Sequence, residues 1–133
     1  MAKTEEQKQF ASYVLSLELY DVIVQNKKFS SGLPCCPNLS QLSNYLESNV
    51  IDDTKIYLRP MSDITDEEMK TLLNLDSGLR IHKDVLHDEI PLVKYLPDAI
   101  DYLNSRLLDY RGYIALGRAM PSLDRMYKEL KAL

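Results

Sequence analysis

Apolar side chains near the start of the chain recur at helical spacing: Phe10, Tyr13, Val14, Leu17, Tyr20 and Val24 fall on one stripe. Just ahead of them, Thr4-Glu5-Glu6-Gln7 has the form of a capping box. In that motif the Thr4 hydroxyl accepts from the third helical N–H and Gln7 reaches back to the cap. The pattern predicts a helix over residues 4–26. A strand template competes, because Leu15, Leu17, Leu19 and Ile23 alternate with Ser16, Glu18 and Val22, and Leu19–Val24 is rich in strand-forming residues.

Residues 27–38, KKFSSGLPCCPN, are turn-rich and break the helical pattern. Asn38 or Ser40 then caps a second, short helix with Leu39, Leu42, Tyr45 and Leu46 facing inward. Asn49–Thr54 reads as a polar connection, and Lys55-Ile56-Tyr57-Leu58-Arg59 alternates as a strand ended by Pro60. Thr65-Asp66-Glu67-Glu68 is another capping box, with three acids in the first turn, where the helix dipole favours them. Met69, Leu72 and Leu73 supply its buried face, and Asp76-Ser77-Gly78 ends it. Leu79–Ile90 suits a hairpin that turns near Lys83-Asp84. Pro97 opens a further helix, since its missing N–H costs nothing in the first turn, with Asp98 and Asp101 near the positive end. Ile100, Leu103 and Leu107 form its core stripe, and Gly112 either stops it or follows it in a left-handed turn. Tyr113–Leu116 makes a short turn before Gly117, and Leu123–Leu133 is an amphipathic end piece. No repeat or low-complexity tract interrupts the chain. The expectation is one α+β domain over residues 1–133, mostly helical with a small antiparallel sheet.

Composition narrows the function classes. The 133 residues are 45% hydrophobic and 27% charged, enough apolar material for a core. No run approaches the roughly 20 apolar residues of a membrane span, and the opening MAKTEEQKQF lacks a secretory pattern. The net charge is −4, spread so that neither half is basic, which argues against a nucleic-acid or anionic-membrane partner. Arg118, Arg125, Lys128 and Lys131 are interrupted by Asp124 and Glu129, as on a solvated helix face. Cys35 and Cys36 are neighbours, a spacing too strained for a mutual disulfide, and no other cysteine exists. The expected compartment is a reducing cytoplasm.

Candidate chemistry is sparse. His82 and His87 lie beside Asp84, Asp88 and Glu89 but lack the i, i+4 spacing that puts two imidazoles on one helical face. There is no Gly-x-Ser-x-Gly elbow and no Gly-rich phosphate loop. No catalytic, metal or cofactor residue is therefore assigned, and no cofactor is expected. An enzyme using Cys35 or Cys36 with a histidine is the least supported reading. The unusual balance is nine tyrosines against two phenylalanines and no tryptophan. Tyrosine couples a large apolar ring to a polar tip and suits interfaces as well as core edges. Tyr95, Tyr102, Tyr110 and Tyr113, with Arg106 and Arg111, form the candidate interaction surface. Core-edge duty is the competing structural reading. Arg interleaved with aromatics could also stack bases, but Asp98, Asp101 and Asp109 weigh against it.

Two stretches carry a resemblance. Tyr57-Leu58-Arg59-Pro60-Met61-Ser62-Asp63-Ile64-Thr65-Asp66-Glu67-Glu68 is similar to one conserved-pattern segment, and Ile100-Asp101-Tyr102-Leu103-Asn104-Ser105 with Asp109-Tyr110-Arg111-Gly112-Tyr113-Ile114 is similar to another. Both occur in small uncharacterised proteins of bacteriophages and prophages of Bacteroides-type gut bacteria. The match covers the second half of the chain, and Leu107-Leu108 stands where that family has an aromatic pair. The resemblance implies an accessory phage or mobile-element protein of the bacterial cytoplasm and assigns no catalytic residue. The leading expectation is a non-enzymatic module that binds a host or phage protein. A small nucleic-acid-associated regulator is the runner-up, and self-association into a homo-oligomer stays open.

Overall fold

The computed structural model describes residues 2–29, 32–79, 95–122 and 126–127. Among them it shows four α-helices and three short strands: α1 (Glu5–Leu17), β1 (Val24–Asn26), α2 (Leu39–Tyr45), β2 (Thr54–Leu58), α3 (Asp66–Leu75), α4 (Pro97–Ser105) and β3 (Ala119–Pro121). The class is α+β, as expected. The sheet has the order β1-β2-β3, with β1 antiparallel to β2 through Val24↔Ile56, Gln25↔Lys55 and Asn26↔Thr54. It is mixed, however, and not purely antiparallel. No helix among the described residues is long and apolar enough to cross a membrane. The chain divides into two compact units, Met1–Tyr57 with Arg118–Met120, and Leu58–Gly117 with Pro121–Leu133.

In the first unit, Thr4 caps α1 with both halves of the capping box in place. The helix ends at Leu17, earlier than the expected residue 26. A 3-10 turn over Glu18–Tyr20 leads to Asp21 at φ 57°, a left-handed conformation that an Asp side chain tolerates. Beyond it, Val24–Asn26 becomes strand β1, so of the strand-prone Leu19–Val24 only Val24 is in the strand, where pairing with β2 is offered. Asn38 caps α2, again with a complete box through Gln41. The core gathers Phe10, Val14 and Leu17 of α1, Leu42 and Tyr45 of α2, and Val24 and Ile56 of the strands. Asn26 is buried among them, but none of its hydrogen-bonding capacity is wasted. Its Nδ2 donates to Val50 O (3.0 Å) and Thr54 Oγ1 (2.7 Å), its Oδ1 accepts from Lys28 N (2.9 Å), and Thr54 Oγ1 donates to Tyr45 O (2.7 Å). At the surface of the unit, Arg118 reaches Glu6 (3.0 Å) and Asp52 (3.1 Å).

In the second unit, α3 and α4 pack together. Asp76, just after α3, accepts from the N–H of Leu96, the N-cap of α4, at 2.9 Å. At the other ends of the two helices, Arg106 Nε meets Glu68 Oε2 at 2.6 Å. Contacts at both ends fix the pair as antiparallel. The end of α4 differs from expectation: the helix stops at Ser105, and Leu107, not Gly112, is the left-handed residue that terminates it, at φ 56°. Leu108 N donates to Leu103 O (3.1 Å) and Leu107 N to Asn104 O (3.0 Å), the two bonds of a Schellman motif. A leucine there costs roughly 1–2 kcal/mol relative to glycine. The cost is offset because Leu107 is fully buried and its carbonyl accepts from Arg59 N at 2.8 Å. Gly112 takes the second expected role, a left-handed turn at φ 75° after the helix. Apart from Leu79, the expected hairpin over Leu79–Ile90 lies outside the described residues, as does most of the end piece Leu123–Leu133.

Candidate functional site

Thr65 caps α3, and the capping partner is Glu68. Its carboxylate does more than cap. Oε1 accepts from Thr65 N (3.0 Å) and Arg59 Nη2 (2.6 Å), while Oε2 accepts from Arg59 Nη1 (2.7 Å) and Arg106 Nε (2.6 Å). Arg59 in turn spends all five of its N–H groups, the remaining three going to Asp63 Oδ2, Asp63 O and Arg106 O, each at 3.2 Å. Arg59 is 0% exposed, so this is a desolvated ion cluster whose members satisfy one another. Burial alone would push the Glu68 carboxyl up. The hydrogen bond from Arg59, those from Thr65 and Arg106, and the Arg59 charge outweigh it and hold the group down at about 2. Burial likewise acts to lower the Arg59 guanidinium, and its bonds to Glu68 and Asp63 more than reverse the effect.

Close in sequence to this cluster lie the residues of the candidate interaction surface, all within the second unit. Arg106 is 9% exposed and committed to Glu68; Tyr110 (6%) and Tyr113 (7%) are buried. Tyr95 and Tyr102 are half-buried, and Arg111 is exposed. Tyr95 packs edge-on against Tyr110, with ring centroids 5.9 Å apart and planes at 81°. Arg111 lies with its guanidinium carbon 5.8 Å from the centroid of the same ring, and its Nε donates to Tyr110 Oη at 3.4 Å. Burial, then the charge of Asp76, pushes the Tyr95 phenol up to about 12. Leu96, next to Tyr95, is 54% exposed. Tyr110 is thus the support of a small Tyr95–Leu96–Arg111 surface, while Arg106 and Tyr113 serve the interior. The turn beneath is set by Asp109, whose carboxylate accepts from Tyr113 N (2.8 Å) and Ile114 N (2.9 Å).

The cysteines belong to the first unit. Backbone bonds in both directions tie Cys35 to Val24, at 2.8 and 2.9 Å. Its Sγ lies 3.4 Å from Tyr45 Oη, whereas Cys36 Sγ lies 3.9 Å from Asp21 Oδ1. Burial first, then the negative charge of Asp21, raises the Cys36 thiol above its ordinary value, the reverse of what an activated nucleophile requires. His82 and His87 lie outside the described residues. Among the described residues, no three His, Cys, Asp or Glu side chains gather to hold a metal ion.

The Glu68 cluster is what sequence reading missed. Arg59 reads as the end of a strand and Glu68 as a helix cap, and only the cap is a local signal. No family model matches this chain, and no curated protein or solved structure resembles it significantly.

Proposed function

We propose that the chain is a non-enzymatic protein–protein interaction module, a phage- or mobile-element-derived accessory protein working in the bacterial cytoplasm on a host or phage protein. The observation that supports it is the Tyr95–Tyr110–Arg111 stack beside the exposed Leu96. Aromatic and Arg side chains on a rigid support lose little conformational entropy on docking, which is why they dominate binding energy at protein interfaces. The buried Tyr110 ring supplies that support, and the Glu68 cluster ties the ends of the helices that precede it. The phage origin rests on the sequence resemblance alone.

The test is a pull-down from bacterial lysate with the tagged full chain and with a Leu96→Asp/Arg111→Glu variant, both checked for equal melting temperature. Both substitutions fall on exposed side chains, so the fold should survive. The reading expects a discrete set of proteins to be lost with the variant. Recovery of the same proteins by both versions would overturn it.

A further inference from the structure

We draw no further inference here: the strongest candidate, the hollow beside α2 lined by Phe29, Asn44, Glu47, Asn49 and Val50, is a shallow, open depression, and nothing in the structure shows what occupies it.

Discussion

Asn26 and Thr54 in the first unit, and Arg59, Glu68 and Arg106 in the second, are all buried polar side chains, yet the first pair is neutral and the second group is ionised. Both networks are closed within their own unit. Asn26 ties β1 to the backbone after α2 and to Thr54, which in turn holds Tyr45 O. Glu68 joins the start of α3 to Arg59, just past β2, and to Arg106, the end of α4. The difference lies in what failure costs. A neutral network that loses a member leaves one or two unmatched dipoles; an ionic one leaves a desolvated charge. The charged network also answers to pH, which the neutral one cannot do.

The largest effect separating the two should come from Glu68→Ala, which takes from Arg106 its carboxylate partner and leaves the buried Arg59 with Asp63 alone. We expect a loss of about 3–5 kcal/mol in denaturant-unfolding free energy. Asn26→Ala should cost about 1–3 kcal/mol, the penalty for buried carbonyl and hydroxyl groups left unmatched. Its loss should be the same at pH 7 and pH 4. A loss for Asn26→Ala as large as for Glu68→Ala would break the contrast. The smallest effect sharpens the account of the turn next to the charged cluster. Gly112→Ala places a Cβ at φ 75° and should lower stability by about 1 kcal/mol, read as a drop in melting temperature. An unchanged melting temperature together with lost partner binding would overturn the structural reading of Gly112.

The parts of this fold that the sequence displays are those whose signals are local. Capping boxes at Thr4 and Thr65 and the cap at Asn38 stand where spacing places them, because both halves of each motif lie within four residues. Helix ends set by unusual backbone are less visible. Asp21 and Leu107 both adopt positive φ, and leucine advertises no such tendency, so α4 looked longer than it is. The Glu68 cluster depends on residues far apart in the chain: Arg106 is 38 positions from Glu68. Of the candidate surface, composition singled out the stretch but could not distinguish the rings that face inward. Tyr110 and Tyr113 are buried and Arg106 is occupied by Glu68, while Tyr95, Tyr102 and Arg111 retain exposure.

The charge contrast has a definite sign with acid. Glu68 has a folded-state value of about 2 against an ordinary 4.5, so its ionised form is stabilised by folding. That contribution, about 3 kcal/mol at most, is fully present above pH 4.5 and disappears as pH falls toward 2. The most direct test is a carboxyl ¹³C NMR titration of Glu68 in the folded chain, with Glu68→Gln identifying the resonance. The ion cluster predicts a midpoint near 2; a midpoint near 4.5 would mean that Glu68 is not held by Arg59 and Arg106 and would contradict the account.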